Sequence, residues 1–283
     1  MPFSINAYAK INLTLDITGK RADGYHLLRM VMQSVSLCDR IFLTREEPGI
    51  QVACARNDVP CGRENTAYQA AELFFDCAGL KPDIAIQIEK RIPSQAGLGG
   101  GSSDAAAVLL ALNEIYHTEY SKEILCEIGV KVGADVPFCI LGGTALAEGI
   151  GEALTPLPSL KPCHIVICKP LIGVDTKQAF ALADASKASL TSYTDPMLDA
   201  VRRSDLRAVA SGLGNGFEQV MKLDEVTRIK EAMNSMGALG SCMSGSGSAV
   251  FGIFEDEQKA IACKGALTGL YSDVFLCEPV NNI

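Results

Sequence analysis

The chain has 283 residues, which is enough for one large domain or two modest ones. Apolar residues make up 48% of it and charged residues 20%, which excludes an intrinsically disordered protein. The net charge of −8 argues against a broad nucleic-acid-binding surface, because such surfaces are usually basic. A local basic pocket for phosphates is still compatible with that charge.

The cysteines and histidines predict neither a disulfide framework nor a metal centre. The eleven cysteines are odd in number and lack C-x-x-C spacing, which indicates reduced thiols in a cytosolic protein. Cys139 and Cys168 lie in apolar stretches predicted to be strands, where cysteine acts as a small hydrophobic residue. The three histidines, His26, His117 and His164, are too scattered for a zinc motif.

The hydropathy pattern predicts no membrane insertion. The N-terminus lacks the apolar core of a signal peptide, and no apolar run reaches the roughly 18 residues of a membrane span. We therefore expect a soluble protein of the cytoplasm.

Residues 3–17 alternate between apolar and polar side chains, which predicts a long strand with one buried face. Apolar residues occupy every second position from Phe3 to Ile17. The opposite face carries Lys10 and Asn12, a cation beside an amide. This pair suits a phosphoryl or hydroxyl site, although a solvated polar face would also carry such residues.

A turn with two cations follows at residues 19–24 and leads to Tyr25 and His26. A histidine in a loop usually has no special role, but beside a tyrosine it could recognise a planar ligand. Strands are predicted at residues 31–37, 39–45 and 50–54. A helix is predicted to begin near residue 65, with Asn65 or Glu64 as its N-cap, and to end near residue 77.

The most informative segment is IPSQAGLGGGSSDAAAVL at residues 92–109. Its four glycines within five positions follow a strand predicted at residues 84–88 and precede an alanine-rich helix. Backbone N–H groups in such a loop, together with the positive end of the helix dipole, bind anions, and phosphate is the expected ligand. A flexible turn is the alternative, but a turn would not require so many glycines.

Two common phosphate motifs do not fit this loop. No lysine follows the glycines, as a Walker A motif requires. Ser102 occupies the position of the third glycine of the Rossmann fingerprint.

A helix is predicted to begin at Ser121 and to end near Gly133. Asp135 follows between two apolar stretches, where a partly buried carboxylate serves as a base or charge anchor, or simply caps a turn. A strand is predicted at residues 139–147. Three prolines within residues 155–162 mark the predicted domain boundary, which gives domains 1–155 and 156–283.

The second domain is predicted to be an α+β sandwich, because its strands alternate with helices. Its strands are predicted at residues 164–169, 248–254 and 273–277. One helix is predicted to start at Asp175 or Thr176. Four further helices are predicted at residues 196–203, 205–211, 224–236 and 258–267. A second loop of glycine and serine lies at residues 244–247.

Three segments together resemble the GHMP kinase superfamily, named for galactokinase, homoserine kinase, mevalonate kinase and phosphomevalonate kinase. They are AYAKINLTLDI at residues 7–17, IPSQAGLGGGSSDAAA at residues 92–107 and SCMSGSGSAVFGIF at residues 241–254. The resemblance implies an α+β fold with an N-terminal ribosomal-protein-S5-like α/β domain and a C-terminal ferredoxin-like α/β sandwich. The first domain would contain a left-handed βαβ crossover, and the active site would lie between the domains.

Finer features resemble the superfamily member that phosphorylates the 2-hydroxyl of a cytidine-diphosphate-linked methylerythritol, in the non-mevalonate route to isoprenoid precursors. They include RADGYHLL at residues 21–28 and GADVPFCILGGTALAEGIGE at residues 133–152. Gln95 departs from the family pattern, in which a small residue is expected. The alternatives are a sister kinase that acts on mevalonate, homoserine or a sugar, and a non-catalytic nucleotide- or RNA-binding module.

The resemblance also implies the ligands and the roles of the site residues. ATP and Mg²⁺ are the expected cofactors, and the substrate is the only expected partner, with monomer and homodimer both open. Asp135 would be the general base, and Lys10 would keep it ionised and stabilise the developing alkoxide. Tyr25 would stack on the cytosine, His26 would bond its edge, and Phe180 would lie on the opposite side.

The glycine loop would wrap the ATP phosphates, and Asn65 would lie at the adenine end. The residues expected to bind ATP are Asn65, Pro93, Ser94, Gln95, Ala96, Gly97, Leu98, Gly99, Gly100, Gly101, Ser102, Ser103 and Asp104. The residues expected to bind the acceptor are Asn12, Tyr25, His26, Thr176, Phe180, Gly245, Ser246 and Gly247.

Overall fold

Two β-sheets and their helices make up the computed structural model, which describes residues 2–45, 48–186 and 191–281. The elements up to residue 156 are β1 (Phe3–Lys20), β2 (His26–Arg45), β3 (Gly49–Cys54), α1 (Thr66–Ala78), β4 (Asp83–Glu89), α2 (Gly100–Tyr116), α3 (Lys122–Gly129), α4 (Val136–Leu141), β5 (Thr144–Glu148) and β6 (Ala153–Pro156). The elements after it are β7 (His164–Lys169), α5 (Thr176–Ala185), α6 (Thr194–Arg202), α7 (Leu206–Ser211), β8 (Gly214–Asn215), α8 (Gly216–Val220), α9 (Asp224–Ser235), β9 (Gly240–Met243), β10 (Val250–Phe254), α10 (Glu257–Thr268) and β11 (Asp273–Cys277). The α+β class agrees with the sequence prediction.

The larger sheet is built on its two longest strands, β1 and β2, which pair antiparallel. The second part of β2 pairs with β4, and β3 lies beyond β4. The first part of β2 pairs with β5, which pairs in turn with β6. β3 and β4 are parallel neighbours joined through α1, which makes a βαβ unit. The handedness of that connection stays a prediction.

The smaller sheet has the strand order β11-β7-β10-β9, with every pair antiparallel. The chain passes through β7, a group of helices, β9, β10, α10 and β11. This βαββαβ order is that of a ferredoxin-like sandwich, as predicted. The strand predicted at residues 273–277 is β11, with the same bounds.

The prediction of one buried face on β1 is wrong, because both faces are covered over most of the strand. Register shifts between Tyr8 and Lys10 and between Asn12 and Thr14 interrupt the alternation. Ala7 and Leu15 therefore pack in one core cluster, while the apolar residues between them pack in another. The polar side chains at positions 10, 12, 14 and 16 are buried as well. A buried polar face needs partners, and the site described below supplies several of them.

Several predicted elements have other bounds or types in the structure. The strands predicted at residues 31–37 and 39–45 are one strand, β2, and Asp39, the first residue of the second predicted strand, is buried and hydrogen-bonded. The strand predicted at residues 139–147 begins as α4, with Pro137 in the first turn, so only β5 is a strand. The helix predicted from Ser121 to Gly133 is capped by Ser121 but ends at Gly129.

The two halves of the chain share one packed interior. β8 comes from the second half but pairs with β1 in the larger sheet. One core cluster contains both Ile11 of β1 and Ile165 of β7. The boundary at residues 155/156 is therefore not marked by separate cores and stays a prediction.

The eleven cysteines are all described, and each is a free thiol. Cys139 and Cys168 are buried as expected, although Cys139 lies in α4 and not in a strand. Burial raises the pKa of Cys168 to about 12, which fits a packing role. Within the described ranges, no helix combines the length and the apolar character needed to cross a membrane.

Candidate active site

A cavity of about 1280 Å³ lies where β1, β2, the glycine loop, α5 and the loop before β10 meet. Both catalytic residues expected from the sequence line it, together with all eight acceptor-side residues and four residues of the glycine loop. The predicted residues in its wall are Lys10, Asn12, Tyr25, His26, Gln95, Gly97, Gly99, Ser102, Asp135, Thr176, Phe180, Gly245, Ser246 and Gly247. Segments that are more than 230 residues apart in the sequence, such as those of Lys10 and Gly247, thus form one site.

The other predicted residues do not line this cavity. They are Asn65, Pro93, Ser94, Ala96, Leu98, Gly100, Gly101, Ser103 and Asp104. The amide of Asn65 caps α1, accepting from the Ala67 N–H at 2.8 Å and donating to the Pro60 carbonyl at 2.6 Å. Both ends of the amide are therefore already hydrogen-bonded. The role of Asn65 at the adenine end stays a prediction.

The glycine loop ends in a helix start that leaves N–H groups available. Gly99 is the N-cap of α2, and no side chain caps this end. Gln95, Gly97 and Gly99 have positive φ angles of 52°, 74° and 71°. A side chain at Gly97 could not fit, because its Cβ would lie 2.0 Å from the Ser244 carbonyl oxygen. This geometry suits an anion, because the helix dipole favours negative charge there.

Both edges of the glycine loop are hydrogen-bonded to neighbouring segments. The Lys10 N–H donates to the Leu98 carbonyl at 3.0 Å, and the Ala249 N–H donates to the Ala96 carbonyl at 3.1 Å. The Ser244 hydroxyl donates to the Gly97 carbonyl at 2.9 Å. The loop therefore connects β1 of the larger sheet to the segment before β10 of the smaller one.

Lys10 and Asp135 form an ion pair at the side of this loop. The Lys10 Nζ lies 3.3 Å from the Asp135 carboxylate and donates to the Asn12 amide oxygen at 2.8 Å. The Lys10 side chain is 6% exposed and that of Asp135 is 30% exposed, so a ligand in the cavity can reach the carboxylate. Asp135 precedes α4, but its side chain makes no capping hydrogen bond. The carboxylate is therefore available for chemistry, and the capping alternative does not apply.

An aromatic group lies across the cavity. The rings of His26 and Phe180 stack with centroids 4.3 Å apart and planes within 10°. Phe217 contacts Phe180 edge-on at 5.0 Å. The Tyr25 side chain is largely exposed, and Thr176 shares a 2.8 Å hydrogen bond with Ser246. The predicted aromatic residues are thus together, but Phe180 lies directly on His26.

Further charged residues in the cavity wall were not predicted as site residues from the sequence, and Asp184 and Lys20 are a contacting pair among them. Asp184 accepts from Lys20 Nζ at 2.5 Å and contacts His26 Nε2 at 2.7 Å. These hydrogen bonds, that from Lys20 above all, lower the pKa of Asp184. Asp184 lies four residues after Phe180, which lies four after Thr176, so helical spacing was the signal that could have revealed it.

A buried ion cluster lies where the glycine loop begins and ends, and it was also missed. Lys90 Nζ contacts Asp39 at 2.5 Å and Asp104 at 2.6 Å, and all three side chains are at most 5% exposed. Asp39 also accepts from the N–H groups of Arg91 and Ile92 at 2.5 and 2.8 Å. The carboxylate of Asp104, predicted to bind ATP, thus has Lys90 as its partner.

The protonation of this cluster follows from its burial. Burial opposes the charge of Lys90, but the two carboxylates raise its pKa overall. Burial and the charge of Asp39 raise the pKa of Asp104 to about 8, against the opposing effect of Lys90. One oxygen of Asp104 has no hydrogen-bond partner in the described part of the chain. The cluster therefore holds the two ends of the glycine loop together with a reduced net charge near neutral pH.

Comparison with known proteins identifies the family of this chain. Residues 65–143 match the family described as "GHMP kinases N terminal domain", and residues 197–273 match "GHMP kinases C terminal". The 4-diphosphocytidyl-2-C-methyl-D-erythritol kinase of Clostridium novyi (strain NT) is 45% identical over 276 residues, 97% of this chain and 99% of that protein. The protein of the same name from Clostridium kluyveri is 43% identical over 278 residues, 98% of this chain and 99% of that protein. This chain belongs to the 4-diphosphocytidyl-2-C-methyl-D-erythritol kinase family.

A solved structure supports the assignment. A crystal structure of 4-(cytidine 5′-diphospho)-2C-methyl-D-erythritol kinase aligns with a TM-score of 0.83 and 35% identity, and the alignment covers 99% of this chain and 100% of that one. The predicted GHMP kinase fold is confirmed. The protein is an ATP-dependent small-molecule kinase, and neither alternative from the sequence is favoured.

Proposed function

We propose that this kinase transfers the γ-phosphoryl group of ATP to the 2-hydroxyl of 4-diphosphocytidyl-2-C-methyl-D-erythritol. The products are the 2-phosphate and ADP, and the reaction belongs to the non-mevalonate route to isoprenoid precursors. The observation that carries the proposal is the position of the Lys10–Asp135 pair. It lies in one cavity with the glycine loop and with Tyr25, His26 and Phe180.

The donor side is the glycine loop. Its positive-φ residues and the uncapped start of α2 turn backbone N–H groups toward a polyphosphate without side chains in the way. Such a site supplies no covalent chemistry. Phosphoryl transfer needs chiefly correct positioning and charge stabilisation, because its transition state is loose.

The acceptor hydroxyl belongs beside Asp135. The carboxylate accepts the hydroxyl proton as the oxygen attacks phosphorus, and Lys10 at 3.3 Å stabilises the negative charge that develops on that oxygen. An ordinary aspartate is a weak base for an alcohol, so the proton is transferred late and orientation of the hydroxyl is a large part of the effect. Asn12, which accepts from Lys10, lies close enough to contact the other hydroxyls of the acceptor.

The cytidine end belongs at the aromatic group. Tyr25 offers an exposed ring for stacking, and His26 and Phe180 supply a second flat surface and a polar ring edge. Mevalonate and homoserine have no ring that would use these groups. The aromatic group therefore favours the cytidine-linked acceptor over the substrates of sister kinases.

The cavity fits Mg²⁺ bound mainly through nucleotide phosphates. In the described residues, no three His, Cys, Asp or Glu side chains form a group suited to a metal ion. Asp135 and Ser102 are oxygen-bearing side chains in the wall and would be its protein contacts. When bound, Mg²⁺ neutralises charge on the transferred phosphoryl group.

An ADP-release assay on a panel of acceptors tests the function. We expect ADP release with the cytidine-linked methylerythritol and none above background with mevalonate, homoserine or galactose. Asp135→Asn, purified in the same way, shows whether a contaminating kinase contributes. Release with another acceptor and none with the cytidine compound would overturn the proposal.

Competition tests the cytidine site separately. CDP should inhibit the wild type competitively against the acceptor, and His26→Ala should lose much of that sensitivity. Unchanged inhibition of His26→Ala by CDP would contradict the assignment of the cytosine to the aromatic group.

A further inference from the structure

Helix α5 buries little in the core and meets the rest of the molecule largely at the cavity. Ala179 is its one fully buried residue in the described part of the helix. Thr176, Phe180 and Asp184 are spaced by four residues, so they lie along one side of the helix. All three line the cavity. Contacts made there therefore contribute strongly to where the helix lies.

Asp184 makes the charged contact of this helix with the larger sheet. One carboxylate oxygen contacts Lys20, the last residue of β1, at 2.5 Å, and the other contacts His26, the first residue of β2, at 2.7 Å. The proposed reaction gives no role to Asp184 or Lys20. Both nevertheless lie in the wall of the cavity beside the residues assigned to the cytidine end.

The contact between Asp184 and His26 also determines the tautomer and the orientation of the His26 ring. A carboxylate can only accept hydrogen bonds, so the Nε2 atom of His26 must carry the hydrogen in this contact. When the ring is neutral, this bond holds it in one tautomer, and the same bond holds the plane of the ring. That plane is the one that stacks on Phe180, within 10° of parallel.

Because the rings of His26 and Phe180 are stacked on each other, a base cannot lie between them as they stand. The two rings are 4.3 Å apart, whereas a base between them would need about two stacking distances, roughly 7 Å. A base must therefore contact an outer face of the stacked pair, or its binding between the rings requires α5 to move. In either case, the orientation of the His26 ring determines which polar groups the base can contact.

We propose that Asp184 is a positioning residue of the acceptor site. It holds the His26 ring in one tautomer and one orientation and, with Lys20, holds α5 at the cavity for the cytidine end of the acceptor. The inference rests on the proposed function, because it takes the cytidine-linked compound as the acceptor. Asp184 need not touch the reacting atoms.

The exposure of these residues separates this role from a structural one. The side chains of Asp184 and Lys20 are 41% and 47% exposed, and ion pairs at such exposure contribute little to stability. Variants of Asp184 should therefore fold normally. An effect on the acceptor alone would then reflect positioning.

Steady-state kinetics of Asp184→Ala tests this. We expect the KM for the cytidine-linked acceptor to rise about tenfold, which is the typical effect of losing one hydrogen bond to a charged group. The kcat and the KM for ATP should stay within about twofold of the wild type. Asp184→Asn keeps an oxygen for the Nε2–H group, so it should recover much of the lost affinity.

Glu255→Ala is the matched control. Glu255 pairs with Arg207 at 2.5 Å, is likewise exposed, and does not line the cavity. Its kinetic constants should equal those of the wild type. Equal acceptor KM values for Asp184→Ala and Glu255→Ala would reduce Asp184 to an ordinary surface pair and overturn the proposal.

The ¹⁵N signals of the imidazole rings give a readout without turnover. The chain has three histidines, so His26 can be assigned by comparison with His26→Ala. Above pH 8 the free wild type should show His26 with its hydrogen on Nε2, and Asp184→Ala should show a mixture of tautomers. An unchanged tautomer in Asp184→Ala would overturn the proposal even where the wild type is active. Absence of acceptor phosphorylation by the wild type would instead remove the proposed function.

Discussion

Two groups of lysine and aspartate lie beside the glycine loop, and they differ in what can reach them. Lys10 and Asp135 form a pair in the cavity wall, with the Asp135 side chain 30% exposed. Lys90 and its two carboxylates, Asp39 and Asp104, are closed off from solvent at the ends of the same loop. The same residue types therefore serve two purposes. The open pair can act on a ligand, while the buried cluster can only hold the chain.

The sharpest test of this comparison is the chemistry of the open pair. Asp135→Asn keeps the shape of the side chain but cannot accept the hydroxyl proton, so kcat should fall by roughly 10²–10⁴-fold. The midpoint of thermal unfolding should change little, because the side chain makes no capping bond and the Asn oxygen can still accept from Lys10. Measured kcat and melting curves of wild type and variant check both statements. A kcat within a few-fold of the wild type would contradict the role of Asp135.

The buried cluster should respond in the opposite way. Lys90→Met leaves the buried carboxyl groups of Asp39 and Asp104 without their cation, and removing one partner of a buried ion pair typically costs about 3–5 kcal/mol of unfolding free energy. Urea unfolding of the wild type and variant measures that loss. A variant as stable as the wild type would show that the cluster does not hold the loop.

Gly99 connects the loop to the open pair. Gly99→Ala places a Cβ 2.9 Å from Lys10 Cγ and adds a residue with φ near 71°, a strain of about 1–2 kcal/mol. We expect kcat to fall about tenfold because Lys10 must move, an effect equal to about 1.4 kcal/mol on the barrier. Gly79→Ala is the matched control, since Gly79 has φ 65° and nothing within 4 Å of an added Cβ. It should lose similar stability and keep its kcat.

The mildest substitution in the buried cluster is Asp104→Asn. The pKa of Asp104 rises from 3.8 to about 8 on folding, so the folded protein keeps a proton that the unfolded chain releases. Its contribution to stability is therefore complete below about pH 4 and declines as the pH rises toward about 8. Asparagine mimics the protonated form and takes up no proton on folding, so the unfolding free energy of the variant should lack this decline. Urea unfolding from pH 5 to 8 should show a flatter pH dependence for the variant.

Local patterns in the sequence predicted local structure well. Asn65, Ser121 and Asp175 were expected at helix starts, and each accepts a backbone hydrogen bond there. These caps depend on neighbours within three residues, so the sequence contains what is needed. The strand, glycine loop and helix at residues 84–116 were predicted for the same reason, because they are consecutive, while binding of an anion by this loop stays a prediction.

Features that depend on distant partners were missed. The register shifts in β1 follow from its pairing with β2, so alternation alone indicated a single buried face. Asp184 gains its importance from Lys20 and His26, more than 150 residues earlier. Lys90 looks like a residue at the exposed end of a strand until Asp39 and Asp104 are brought beside it. The resemblance to a family supplied the roles of the site residues, and composition and periodicity did not.

The hydrogen bonds along both edges of the glycine loop have a thermodynamic consequence. The loop accepts from Lys10 on one side and from Ala249 on the other, so ordering it also orders the contact between the two sheets. The loop before β10 also holds α5, through Ser246 and Thr176. A nucleotide that orders the glycine loop and an acceptor that contacts α5 thus act on segments that are hydrogen-bonded to each other. Each ligand should then favour binding of the other by the same factor, whichever of them arrives first.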